Sequence, residues 1–272
     1  MKFSPGFAAA LILALTLTAC GEQNIPPQAA TEGPPAVTQV TEAAIPDPME
    51  VTTAPTEAPS APTEPEHSPL YIPGLSVEDV ILCFNEVCLN AEFINSGDPT
   101  RLQKWESPIR YAIHGEPTET DLDTIGGFAL WLNRMECFPG IWEADSEETA
   151  NLRIYFCTAA EMVDRMGDNF TGLDGCVTFW YEEDRIYDAI ICCRTEIPQY
   201  LRNSVILEEI YNGLGPIQDT DLRPDSIIYS EYSEPQELTD IDRLILKLLY
   251  HPDMKCGMDA RQCEAVIRAL YY

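Results

Sequence analysis

Glu208 and Glu209 stand side by side in "VILEEIYNGLGPIQD", residues 205–219, with Asn212 one turn on and Gln218 beyond Gly215. Paired carboxylates hydrolyse glycosides when they flank a bond. These two are adjacent on one helix and diverge, so that chemistry is not theirs. The plain reading of the segment is an amphipathic helix. Ile206, Ile210 and Leu214 give an apolar stripe, Glu208, Glu209 and Asn212 give its wet face, and Gly213 or Gly215 closes it. Next to it, "QDTDLRPD" carries Asp219, Asp221 and Asp225 but lacks the glycine and terminal glutamate of a calcium loop, so it reads as a solvated loop. There is no G-x-S-x-G elbow, no phosphate-cradling P-loop and no dinucleotide fingerprint. The three histidines, His67, His114 and His251, all lie outside this segment.

The elements that must position these residues follow from periodicity. Apolar residues at helical spacing predict a helix over 76–93, with Ser76 and Asp79 as its cap. Alternation predicts a strand at 107–115. A long helix is expected at 118–138, where Gly126-Gly127 weakens it or lets it pack close to the sheet. Residues 150–162 read as a strand followed by a turn. Residues 176–195 read as two strands joined by a polar hairpin at 182–185. The helix of interest spans 198–214 and is opened by Pro198. Thr239 caps a helix over 239–251, with Asp240 and Asp242 in its first turn, and a last helix ends the chain. Strands come first and helices follow, without a βαβ rhythm. The expected class is α+β, a mixed sheet with long helices and a C-terminal helical part.

Set against the metzincin signature H-E-x-x-H-x-x-G-x-x-H, "EEIYNGLGPIQ" resembles a zinc-protease helix without its histidines. Glu208 falls on the first His, Glu209 on the catalytic Glu, Asn212 on the second His, Gly215 on the Gly and Gln218 on the third His. Residues i and i+4 share a helix face, so two ligands can grip one ion. "DSIIYSEY" (225–232) resembles the Met-turn segment, with Ile228 in place of the methionine. "LTDIDRLILKLLY" (238–250) resembles the helix that follows it in matrixin-type members. The resemblance covers residues 100–250. The chain also looks like a bacterial family of exported domains of unknown function in which Glu-Glu replaces His-Glu. A metzincin-like (zincin-like) scaffold is implied. A three-histidine zinc site is not, because no histidine stands in the signature. Glu208, Asn212 and Gln218 would offer oxygen or amide ligands, kinder to calcium or manganese than to zinc. Glu209 would be the base if the site were active. The expectation is an inactive scaffold without a cofactor.

The N-terminus sets the compartment. An apolar run from Phe7 to Leu17 ends in Leu17-Thr18-Ala19-Cys20, which resembles a lipoprotein lipobox. It implies a signal peptide at 1–19, lipidation of Cys20 and a stable acyl anchor. Gly21 follows, and by resemblance to the enterobacterial sorting rule this favours the outer membrane; the expected location is a periplasm-facing or outer-membrane lipoprotein. Residues 20–69 are rich in proline, threonine and glutamate and read as a disordered tether. Residues 70–272 are long enough for one domain with its own core. The net charge of −29 excludes nucleic acid, which needs a basic surface. In an oxidising compartment the nine cysteines after Cys20 are expected to pair, with at least one left over. Cys83/Cys88 and Cys256/Cys263 lie close enough in sequence to staple local elements, whereas Cys192 and Cys193 must point to opposite faces of a strand. A Cys157 or Cys176 nucleophile would need His114, and oxidation of those cysteines is the competing reading. The expected function is a lipid-anchored envelope protein whose domain binds an envelope protein or peptide without catalysis. The alternative is a metal-dependent, peptidase-like hydrolase.

Overall fold

The computed structural model describes residues 9–13, 68–89, 101–230 and 235–271, the first of these by its backbone. Cys20, His67 and nearly all of the expected tether lie outside the described residues. The strands are β1 (Ala9–Leu13), β2 (Lys104–Trp105), β3 (Ile109–Gly115), β4 (Ile141–Glu143), β5 (Leu152–Cys157), β6 (Gly175–Glu182) and β7 (Arg185–Arg194). The helices are α1 (Val77–Leu89), α2 (Glu119–Leu132), α3 (Ala159–Met166), α4 (Gln199–Gly213), α5 (Asp240–Leu249) and α6 (Ala260–Leu270).

The sheet runs β1-β6-β7-β5-β3-β4, and β2 adds to the start of β7. The β7-β5-β3-β4 part is parallel, whereas β6 is antiparallel to both β7 and β1. The class is α+β with a mixed, mostly parallel sheet. One expectation is corrected: β3–α2–β4 is a βαβ unit, because parallel neighbours need a crossover and α2 supplies it. A second correction is α3. The stretch after β5 is a helix, not a turn, since Thr158 and Glu161 close a capping box at its start. The third is the length of α2, which stops at Leu132 with Asn133 as its C-cap.

The β6–β7 hairpin turns on Glu183 and Asp184, both at positive φ (50° and 63°). That is the two-residue turn whose twist suits adjoining strands. The core lies between the sheet and the helices, and β7 runs through it with Ala189, Ile191 and Cys193 fully buried. Cys192 points the other way, as alternation requires. It joins Cys157, Cys176, Met162, Phe170 and Leu173 in a smaller cluster under α3. The nine described cysteines are free thiols, which corrects the expectation of pairing. Cys83 and Cys88 sit five residues apart on α1, about 140° around its axis, so they cannot bridge. Hydrogen bonding to Cys192 and burial push the Cys157 thiol up. The hydrogen bond with Cys192 lowers the Cys176 thiol, but burial together with the neighbouring Glu209, Cys193 and Cys157 raises it on balance. Neither is an activated nucleophile, and His114 instead stacks on Tyr155 at 4.5 Å.

α2 and α4 are locked together at their first turns. Asp121 closes the capping box of α2 with Thr118 and accepts from Arg202 Nε on α4 at 2.9 Å. Gln199 Nε2 adds a further bond to Asp121 at 2.6 Å. Burial alone would raise the Asp121 carboxyl, but the Arg202 guanidinium and the surrounding donors hold it below the usual range.

Candidate functional site

α4 packs across β6 and β7, and the sequence around its C-terminus fixes where its polar residues point. A helix end leaves carbonyls without intrahelical partners. Here Trp105 Nε1 donates to the Gly213 carbonyl at 2.9 Å, and the Tyr250 hydroxyl donates to the Leu214 carbonyl at 2.8 Å. The chain then turns at Gly215, where φ is +129° and a Cβ would come within 2.5 Å of the Gln103 carbonyl oxygen. Only glycine fits such a backbone and such an approach. The backbone N–H groups of Ile217 and Gln218 donate to the Val87 carbonyl on α1, at 2.6 and 3.2 Å. The turn after α4 is therefore pinned on both sides.

This arrangement buries the residues read as a wet face. Glu209 is 1% exposed and Asn212 is 0% exposed. Among the described residues neither Glu209 oxygen has a hydrogen-bond partner, and neither the Oδ1 nor the Nδ2 of Asn212 has one. The amphipathic reading fails because α4 is enclosed by the sheet and by neighbouring helices, not laid on a surface. Glu209 lies directly against Gly175 at the start of β6: a Cβ there would stand 2.7 Å from Glu209 Oε1. Glu208 is half-buried beside it. Burial, followed by the charges of Asp219 and Asp174, pushes the Glu208 carboxyl well above its ordinary range. Burial, followed by Glu208 and Asp219, does the same to Glu209. Like charges in an enclosed space favour the protonated form. Asp174 itself is paired with Arg194 at 2.8 Å.

The structure thus brings Glu208, Glu209 and Asn212 to one place and adds Asp219 and Asp174. Asp174 escaped sequence reasoning because it sits before β6, and strand–helix packing is not written in local periodicity. Gln218 is held by its backbone at α1. Ile228, in the position of the Met-turn methionine, is buried, and its loop is tied to α5 through Asp242, which accepts from Ser226 Oγ at 2.6 Å. Tyr211 is also buried and donates to the Asp242 carbonyl at 3.2 Å. The residues do not fit zinc: α4 carries no histidine. Among the described residues no three His, Cys, Asp or Glu side chains converge to hold a metal.

Fold and site define an α+β domain with a carboxyl cluster between α4 and the first residues of β6, in which burial raises Glu208 and Glu209 above the ordinary carboxyl range. The chain belongs to a family described as protein of unknown function (DUF2927), whose model matches residues 78–269. No curated protein matches the chain. No solved structure matches it.

Proposed function

We propose that the chain is a lipid-anchored protein of the bacterial cell envelope whose domain binds an extended peptide segment without catalysis. The carrying observation is the edge of β6. Val177–Tyr181 of that strand pair antiparallel with Ala9–Leu13, which lie inside the segment read as the signal peptide. If cleavage before Cys20 removes that segment, a row of backbone N–H and C=O groups is left open for another strand. Strand addition to such an edge is a common way to hold a peptide. Glu209 lies against Gly175, the first residue of that strand. On this reading Glu209 and Asn212 are interior support behind that strand and not a catalytic centre.

The test is calorimetric titration of the mature chain with a peptide carrying the sequence of residues 9–13, beside the same peptide N-methylated at alternate amides. Strand addition requires that methylation on the ladder side abolish binding. Equal binding by both peptides, or binding by neither, sinks the reading. Anchoring is checked separately: Cys20→Ser should move the chain from the membrane to the soluble fraction.

A different observation favours a second reading, a peptidase-like hydrolase with a hard cation such as calcium or manganese. Among the described residues buried Glu209 and Asn212 lack hydrogen-bond partners, and native proteins rarely leave such groups unsatisfied. Metal content after dialysis decides it. A stoichiometric ion lost in Glu208→Ala, with hydrolysis lost in Glu209→Gln, would displace the binding module.

A further inference from the structure

Three segments meet at the C-terminal ends of α2 and α5: residues 69–70, the loop after α2, and the chain leaving α5. They surround a cavity of about 330 Å³, a size at which small molecules are held. Arg134 lines it from just past the end of α2, and Lys247 lines it from the last turn of α5. A cation at a helix C-terminus complements the helix dipole, so either one alone says nothing about a ligand. Their isolation does. The chain has 45 acidic and 16 basic residues, so carboxylates are plentiful. Among the described residues every arginine except Arg134 and Arg261 is in an ion pair, donates to a carbonyl or lies over an aromatic ring. The side chains of Arg134 and Lys247 have no ion pair and no hydrogen bond among them. Glu136 lines the same cavity and pairs with neither.

The rest of the wall divides into a donor and an apolar part. The His251 Nδ1 accepts from the Asp253 N–H at 3.2 Å, so a neutral ring carries its proton on Nε2 and keeps that donor to give. Leu70 and Met135 are half-buried and rest on the main core. We propose that this cavity binds a small monoanion, a carboxylate on an apolar body. Charge sets the valence: two cations against Glu136 leave one positive charge, which a single carboxylate answers. The Arg134 guanidinium matches the two oxygens of a carboxylate, and Lys247 adds a point charge. Leu70 and Met135 take the apolar body out of water. Two sources carry this chemistry, a free carboxylic acid and the C-terminal residue of an apolar peptide. The site shares no residue with the edge of β6, so it stands or falls apart from strand addition there.

The test is calorimetric titration of the full chain in a neutral detergent with phenylacetate, beside phenylacetamide and acetate. Phenylacetate should bind with a Kd of about 0.1–1 mM, as suits so small a ligand. The amide lacks the charge and acetate lacks the apolar body, so each should bind at least about tenfold more weakly. Arg134→Gln and Lys247→Gln should each weaken phenylacetate by at least about fivefold. Both side chains are exposed, so Tm should hold. Glu136→Gln should tighten binding, because it removes the negative charge from the wall. The Cys137 thiol, exposed and lining the same cavity, gives a readout at the site: bound phenylacetate should slow its alkylation by iodoacetamide. Acetyl-alanyl-phenylalanine separates the sources. Binding at least as tight as phenylacetate assigns the site to a peptide C-terminus, and weaker binding assigns it to a free acid. Equal binding of acid and amide, binding indifferent to both cation variants, or no binding up to about 10 mM would each overturn the proposal.

Discussion

α2 and α4 break the inside–outside rule in opposite directions. α4 takes a carboxylic acid and an amide into the core and gives them no hydrogen-bond partners among the described residues. α2 leaves Leu122 and Leu130 about half exposed and turns Gly126 and Gly127 to open space. Most buried polar groups are paired, and large apolar residues are mostly buried. Each helix therefore carries residues that its own packing does not explain, and each does so on a different surface. The two are held in fixed relation by the Asp121–Arg202 pair at their first turns. The lesson is that departures of opposite sign mark regions of different kinds, an internal polar one against β6 and an external apolar one.

The largest effect should come from cutting that link. Arg202→Met leaves Asp121 buried without its cation, and stability measured by urea unfolding should fall by about 3–5 kcal/mol. The pH dependence should change with it. Because the folded carboxyl titrates below its unfolded value near 3.8, its contribution is present above that value and is lost as pH falls through the folded one. The variant should lose that acid-side slope.

Glu209→Gln tests the inner helix and has the opposite sign. The folded Glu209 carboxyl titrates above its unfolded value near 4.5. Its contribution is fully present below the unfolded value and is lost as pH rises toward the folded one. The amide cannot ionise, so stability near neutral pH should rise by about 1–3 kcal/mol and the decline above pH 4.5 should flatten. A fall in stability at neutral pH would show that the carboxylate is satisfied by something the fold holds. Leu130→Gln tests the outer helix. Its cost to unfolding of the monomer should be within about 0.5 kcal/mol, as for surface positions generally. A larger loss would mean that α2 packs on its own domain.

Much of this organisation could be read from residue order. Ser76 with Asp79, Pro198, and Thr239 with Asp242 placed three helix starts, because capping is local chemistry. The hairpin between β6 and β7 was legible for the same reason. Thr158-x-x-Glu161 was equally local, and α3 was still read as a turn because only eight residues follow the cap. What residue order did not carry was enclosure. The spacing of Glu208, Glu209 and Asn212 fits a solvated face, and only the packing of α4 between the sheet and other helices makes it an interior one. The disulfide expectation failed differently. It came from the compartment, which says nothing about whether two sulfurs face each other.

The scattered thiols also give the molecule a set of clocks. Cys137 is exposed, whereas burial pushes Cys83 on α1 up to about 12 and Cys256 near β2 up to about 11. An alkylating reagent should modify Cys137 at once. It should reach Cys83, Cys157 or Cys193 only when α1, the α3 cluster or β7 opens, since a buried protonated thiol does not react until its region is exposed. Mass spectrometry of a timed quench would then date the opening of each layer separately in one unmodified sample.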